Sequence, residues 1–124
     1  MIQITDFYQL DAWKESKNLT ILIYSATKKF PKEERYNLID QIQRASVSIM
    51  ANIAEGFGRY HFADKIRFYY QSRGSLKEVQ NFILLAKELG YLDEVKAKLL
   101  WSKTKNIERL INGLIRSIEK QIKQ

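Results

Sequence analysis

The sequence has no cysteine, which excludes disulfides, thiolate nucleophiles and cysteine-ligated metal sites. Its single histidine is His61, whereas a di-iron carboxylate site in a helical bundle needs Glu-x-x-His pairs on two helices. The chain also lacks a Gly-x-Ser-x-Gly motif and a glycine-rich phosphate-binding loop. We therefore expect no enzymatic activity, no cofactor and no metal site.

Long apolar runs are missing as well. No stretch approaches the roughly 20 apolar residues that a membrane span requires. The first six residues, Met-Ile-Gln-Ile-Thr-Asp, lack the basic region followed by an apolar run that marks a secretory signal. The expected location is the cytoplasm, with no membrane partner.

Proline and glycine are scarce, with one and five copies in 124 residues. The composition is 45% hydrophobic and 28% charged, which is typical of an ordered globular protein and not of a disordered chain. A chain of this length has the size of one domain and can bury a core without disulfides or metals. We expect a single domain over residues 1–124.

Apolar residues recur with a helical period in four segments of the chain. Short interruptions separate these segments, and the clearest is Phe30-Pro31, because the residue before a proline avoids helical backbone angles. This pattern predicts an all-α fold, an antiparallel up-down-up-down four-helix bundle. The predicted helices span about residues 11–29, 32–56, 63–89 and 93–122.

The apolar stripes also predict which side chains face the core. Ile23, Ile49 and Leu76 lie centrally on the stripes of the first three helices. By the same spacing, Phe62 at the start of the third helix and Val95 at the start of the fourth are expected to face inward.

Glycines mark the expected helix ends. Gly56 and Gly58 are expected to end the second helix, and Gly90 the third, by the usual glycine cap. Gly74 lies within the third helix, where a glycine costs about 1 kcal/mol relative to alanine. Residues 75–78, Ser-Leu-Lys-Glu, have the form of a capping box and would fit a break there. The unbroken apolar period favours a continuous helix with a close helix crossing at Gly74.

The net charge of +7 is concentrated in two segments. Residues 57–77 carry five basic groups against one acid, and residues 93–124 carry eight against four, so each segment has a net charge of +4. The rest of the chain sums to −1. This distribution favours an anionic partner.

A polar line runs along the second helix beside its apolar stripe, through Gln41, Arg44, Ser48, Asn52 and Glu55 to position 59. One interpretation is a solvated face with a weak Glu55–Arg59 pair, worth about 0.3–0.5 kcal/mol. The other is a buried network across the second and third helices, because small side chains there would let the two backbones approach closely. Composition alone does not choose between them.

Aromatic and basic residues alternate in residues 57–62 and again in residues 67–70. Rings beside arginines can stack on unpaired bases while the arginines contact phosphate. The competing interpretation is that most of these rings fill the core, since Phe62 and Tyr69 fall on the apolar stripe and Phe57 can plug the end of the bundle.

Three motifs carry a resemblance to a known family. They are Phe30-Pro31-x-x-Glu34, a long motif from Leu38 to Arg59 containing Asn52-Ile53-Ala54-Glu55-Gly56-x-Gly58-Arg59, and Gly74-Ser75-x-x-Glu78. From about Trp13 to Ile118 the chain resembles the four-helix-bundle proteins encoded in intervening sequences of bacterial 23S ribosomal RNA genes. Related to these are the accessory variability determinants of diversity-generating retroelements. Arg73 departs from the pattern, since many relatives have alanine there.

The resemblance implies a ring-shaped homopentamer with no known catalytic activity. In the retroelement relatives it implies binding to nucleic acid and to a reverse transcriptase. Because the family motif coincides with the polar line, the resemblance favours a structural network that sets helix packing or subunit contact. The residues assigned to this structural polar network are Arg44, Ser48, Asn52, Glu55, Arg59, Gly74, Ser75 and Glu78.

Two hypotheses about function follow. The first is a basic oligomer that binds RNA or DNA, or a nucleic-acid-handling complex, through exposed basic groups. The second is a protein–protein scaffold or accessory subunit without direct nucleic-acid contact. The residues assigned to nucleic-acid binding are Arg67, Lys77, Lys96, Lys103, Lys105, Arg109, Arg116 and Lys120.

Overall fold

The computed structural model describes residues 3–124, which form four α-helices and no strand. One-turn 3-10 helices at Phe7–Gln9 and Lys32–Glu34 precede the first and second of them. Within the described residues, no helix is long and apolar enough to cross a membrane. The four helices are α1 (Asp11–Thr27), α2 (Leu38–Gly58), α3 (Phe62–Glu88) and α4 (Glu94–Ile122).

Each helix packs against two neighbours around one core, in the cyclic order α1, α2, α3, α4, and the contact between α2 and α3 is the most extensive. The predicted stripes form this core, and Ile23, Ile49 and Leu76 are completely buried. Phe62 and Val95 are corrections, since 41% and 81% of their surfaces are exposed. Both lie in the first turn of their helices, where the neighbouring helices do not cover them.

The second helix begins later than the sequence predicts, at Leu38 instead of about residue 32. After Pro31 the chain forms 3-10 turns, in which Glu34 N–H donates to the Pro31 carbonyl and Arg35 N–H to the Lys32 carbonyl. Asn37 then leaves helical geometry, with φ −127° and ψ −101°. A proline followed by acids suits the start of a 3-10 turn as well as that of an α-helix.

The glycine cap is present after α3 but not after α2. Gly90 has φ +79°, Tyr91 N–H donates to the Ala86 carbonyl at 2.9 Å, and Gly90 N–H donates to the Lys87 carbonyl at 3.0 Å. These two bonds form the Schellman motif. Gly56 and Gly58 have no positive φ and belong to α2 itself, so the prediction of a glycine cap there is wrong.

Gly56 serves close packing instead. It is buried, and a Cβ placed on it would lie 2.7 Å from Cε1 of Tyr69 and 3.1 Å from Cβ of Phe68. α3 therefore approaches the backbone of α2 at this point. Gly74 has no such role within the chain, because α3 runs through it without a break and a Cβ there would meet no atom within 4 Å.

Candidate nucleic-acid interface

The contact between α3 and α4 contains a buried polar chain that the apolar period did not predict. Gln80 and Thr104 are 4% and 0% exposed, and Gln80 Nε2 donates to Thr104 Oγ1 at 3.1 Å. Gln80 Nε2 also donates to Oε1 of Glu108 at 3.2 Å, and Thr104 Oγ1 donates to the Trp101 carbonyl at 2.6 Å. Within residues 3–124, no buried side-chain nitrogen or oxygen lacks a hydrogen-bond partner.

Glu108 joins this buried chain to the basic surface. Lys77 Nζ of α3 lies 3.3 Å from its Oε2, and Lys105 Nζ lies 3.2 Å from its Oε1. Partial burial raises the pKa of Glu108, but the hydrogen bonds from Gln80, Lys105 and Lys77 outweigh it and hold the pKa below its usual value. Glu108 is therefore a carboxylate at neutral pH, and it neutralises part of the charge of two lysines.

Further along the same contact, Arg73 Nη1 of α3 donates to Asn112 Oδ1 of α4 at 3.0 Å. Two shallow clefts, of about 280 and 240 Å³, open beside this bond and share Asn112 and Arg116 in their walls. They therefore adjoin each other, and we refer to the two together as the groove. We call this surface the α3–α4 seam, and it consists of Arg73, Lys77, Lys105, Glu108, Arg109, Asn112 and Arg116.

The structure brings together half of the residues assigned to nucleic-acid binding, since Lys77, Lys105, Arg109 and Arg116 all belong to the seam. Lys120 follows Arg116 by one turn on the exposed surface of α4.

The other three assigned residues lie elsewhere. Arg67 pairs with Asp64 at 3.6 Å near the start of α3. Lys103 is two residues from Lys105 and therefore points to nearly the opposite side of α4, and Lys96 lies two turns before Lys103 on that same side. These two lysines do not contribute to the groove.

Part of the structural polar network is present between α2 and α3. The hydroxyls of Ser48 and Ser75 are 2.8 Å apart, and Asn52 Nδ2 donates to the Ser48 hydroxyl at 3.0 Å. Ser72, which the sequence did not single out, adds a buried bond from its hydroxyl to the Ile49 carbonyl at 2.8 Å. Small polar side chains thus connect the two helices.

The charged residues assigned to this network do not join it within one chain. Arg44 pairs with Asp40 at 3.0 Å and Arg59 with Glu55 at 3.3 Å, each one turn away on an exposed helix face. Glu78 is also exposed. Long charged side chains find partners on their own helix and stay hydrated, so the buried network is limited to serine and asparagine.

The α2–α3 turn and the first three turns of α3 carry both core and surface rings. Tyr69 is 3% exposed, and its burial raises the pKa of its hydroxyl to about 12. Lys65 Nζ donates to the carbonyl of Phe57 at 2.6 Å and so caps the end of α2, while burial lowers the pKa of this lysine. Tyr60 and Tyr70, in contrast, are 90% and 43% exposed.

Comparisons with known proteins agree with this fold. The family model described as 23S rRNA-intervening sequence protein matches residues 8–113. The chain is also similar to a crystal structure of a protein with unknown function from the S23 ribosomal protein family of Bacteroides thetaiotaomicron, with a TM-score of 0.78 and 21% identity. That similarity covers 84% of this chain and 97% of the other, and at this identity it shows the fold alone. No curated protein matches the chain.

Proposed function

The chain belongs to the 23S rRNA-intervening sequence protein family, and we propose that it binds RNA or DNA through the α3–α4 seam without catalysing a reaction. The observation that carries the proposal is the meeting of the two positive segments at one groove. Arg73 and Lys77 come from residues 57–77, and Lys105, Arg109 and Arg116 come from residues 93–124.

The charge of the groove suits a phosphate backbone. The five basic groups of the seam face its own Glu108 and the neighbouring Glu119, which lines the cleft beside Arg73, so the net charge is 5 − 2 = +3. Glu108 forms ion pairs with Lys77 and Lys105. Arg109 and Arg116 are exposed, and neither has an acidic partner among the described residues. Guanidinium groups bind phosphate through two parallel hydrogen bonds, which makes arginine well suited to this role.

We further propose that the chain is an antiparallel up-down-up-down bundle that assembles as a ring-shaped homopentamer in the cytoplasm. The seam supports the antiparallel order, since Arg73 pairs with Asn112 and the later Lys77 pairs with the earlier Glu108. Exposed apolar side chains such as Ile21 support assembly. Light scattering behind a sizing column should report about five chains per particle, and a monomer would contradict this part of the proposal.

Binding is tested with two variants of equal net charge. The seam variant is Arg109→Gln, Arg116→Gln and Lys120→Gln, the last of which continues the seam one helical turn beyond Arg116. The control variant is Lys28→Gln, Lys29→Gln and Lys32→Gln on exposed positions near the α1–α2 connection. Both reduce the formal charge from +7 to 7 − 3 = +4. Fluorescence anisotropy with a labelled RNA hairpin, and with a DNA hairpin of the same sequence, should show a large loss of affinity only for the seam variant. Equal losses of affinity in the two variants would show that binding depends on the net charge of the chain and not on the seam.

A protein–protein scaffold, such as an accessory subunit of a reverse transcriptase, is the second candidate. It is favoured by a groove of about 340 Å³ between α3 and α4, in which four apolar side chains lie among three charged ones. The lining residues are Ile83, Leu84, Ala97, Trp101, Lys87, Glu94 and Lys98. A pull-down that resists nuclease and is abolished by Leu84→Asp would support the scaffold. A pull-down that nuclease abolishes would favour nucleic-acid binding.

A further inference from the structure

We infer that the protein prefers single-stranded nucleic acid, because unpaired bases can stack on an aromatic–basic strip beside the seam and on a second aromatic–basic patch at the α2–α3 turn. The strip consists of the Tyr70 ring and the Arg73 guanidinium. The patch consists of the rings of Tyr60 and Phe68 and the guanidiniums of Arg59 and Arg67, and Phe68, two residues before Tyr70, points to nearly the opposite side of α3. This inference rests on the proposed function and extends it by naming the class of nucleic acid.

The exposure of the tyrosines is the first observation. Tyr60 is 90% exposed, and its ring makes an edge contact with His61 at 5.1 Å between ring centroids. Tyr69 and Tyr70 are adjacent in α3, yet Tyr69 is 3% and Tyr70 43% exposed. An exposed aromatic ring makes few favourable contacts with water, whereas a nucleic-acid base can stack on its face.

The arginines are the second observation. The guanidinium carbons of Arg59 and Arg67 lie 4.7 and 5.1 Å from the centroid of the Phe68 ring, and that of Arg73 lies 5.3 Å from the Tyr70 ring. Ring contacts of this kind hold the planar guanidiniums in place. Each such group can then stack on a base or bind a phosphate.

The strip is continuous with the seam. Arg73 contacts the Tyr70 ring and also donates to Asn112, and both tyrosine and arginine line the cleft that contains Arg116. A strand whose phosphates lie along the seam would therefore bring its next nucleotides to Tyr70.

A duplex cannot use the strip or the patch as a single strand can. In a double helix the flat faces of the bases are stacked on one another and only edges and phosphates are accessible, whereas unpaired bases expose their faces. The seam alone, being a set of cations, would bind both forms through phosphate.

The chain contains a matched control site. Tyr36 is 84% exposed, and the Arg35 guanidinium carbon lies 5.1 Å from its ring centroid. Its neighbours are acidic, since residues 32–40 carry Lys32, Arg35, Glu33, Glu34 and Asp40, a net of 2 − 3 = −1. Residues 59–73 carry four basic groups against one acid, a net of 4 − 1 = +3. Tyr36 therefore reproduces the exposed ring and its arginine without the positive surroundings.

The test compares full-length wild type with Tyr60→Ala, Tyr70→Ala, Tyr60→Phe and Tyr36→Ala on labelled single strands of about 12 nucleotides and on the matching duplexes. We expect Tyr60→Ala and Tyr70→Ala each to raise the Kd for single strands about tenfold and to leave the Kd for duplexes unchanged. Tyr60→Phe and Tyr36→Ala should both behave as wild type, because the first keeps a stacking ring and the second lies outside both the strip and the patch.

RNA and DNA strands are both used, because both carry the base face that stacks. The same tyrosine dependence is expected with each, and a dependence confined to one of them would show contact with the sugar and overturn the inference. Equal wild-type affinity for single strands and duplexes, with a loss only in the seam variant, would also overturn the inference but leave the proposed function intact. Failure to bind any of these nucleic acids would overturn both.

Discussion

Gly56→Ala tests the close approach of α3 to the backbone of α2 at this position. A Cβ at this position would lie 2.7 Å from Tyr69 Cε1, 3.0 Å from Tyr69 Cδ1 and 3.1 Å from Phe68 Cβ. The Tyr69 residue is 3% exposed and therefore enclosed by its neighbours, and the Cβ of Phe68 can move only with the backbone of α3. Such overpacking lowers the free energy of unfolding by about 3 kcal/mol, and the better helix propensity of alanine offsets about 1 kcal/mol of this loss. We expect a net loss of about 2 kcal/mol.

Gly74→Ala is the matched control, since it also places alanine within a long helix but meets no atom within 4 Å. It should stabilise the fold by about 0.5–1 kcal/mol. For 124 residues, 1 kcal/mol corresponds to a Tm shift of about 4 °C. Circular-dichroism melts at one fixed protein concentration should therefore show Gly56→Ala about 8 °C lower and Gly74→Ala about 2–4 °C higher than wild type. Two variants that shift in the same direction would refute the close approach.

Three further predictions concern polar groups. The pKa of Glu108 is lower in the folded chain than the ordinary glutamate value of about 4.3. Its carboxylate therefore stabilises the fold when the pH is above that ordinary value, and this stabilisation is lost as the pH falls through the lower pKa of the folded state. As the pH falls from about 4.5, urea titrations should thus show Glu108→Gln losing less stability than wild type. Burial raises the pKa of Tyr69 to about 12, so the wild type should lose stability as the pH rises from about 10 through that value, and Tyr69→Phe should lose less. A double-mutant cycle of Ser48→Ala and Ser75→Ala should give a coupling of about 1 kcal/mol in urea titrations, and a coupling near zero would show that their hydroxyls do not bond.

The helices and most of the core could be predicted from the sequence, because apolar residues repeat with the helical period wherever two neighbours cover a helix. Phe62 and Val95 obey the same period but lie in first turns, and periodicity does not say where a neighbouring helix stops. The start of α2 was predicted six residues too early, since Pro31 and the acids after it suit two kinds of turn.

The seam depends on register, which no local pattern gives. Lys77 and Glu108 are 31 residues apart, and Arg73 and Asn112 are 39 apart, so their pairing follows only from how α3 and α4 are aligned. The signal present in the sequence was the line Thr104, Glu108, Asn112 at spacings of four on an otherwise apolar flank of α4. The polar line on α2 led to the opposite error, since the predicted network included charged residues that do not join it. Composition cannot distinguish a buried serine from an exposed arginine on the same helix face.

The salt dependence of binding tests the central claim most directly. Each basic group that neutralises a phosphate contributes about 0.7–0.9 to the slope of log affinity against log salt concentration. If the seam binds phosphate, the seam variant with three neutralised groups should lose about 2–3 from the wild-type slope, while the control variant of equal charge keeps it. Equal slopes for the two variants, or binding that salt does not weaken, would contradict the assignment of the nucleic-acid interface to the α3–α4 seam.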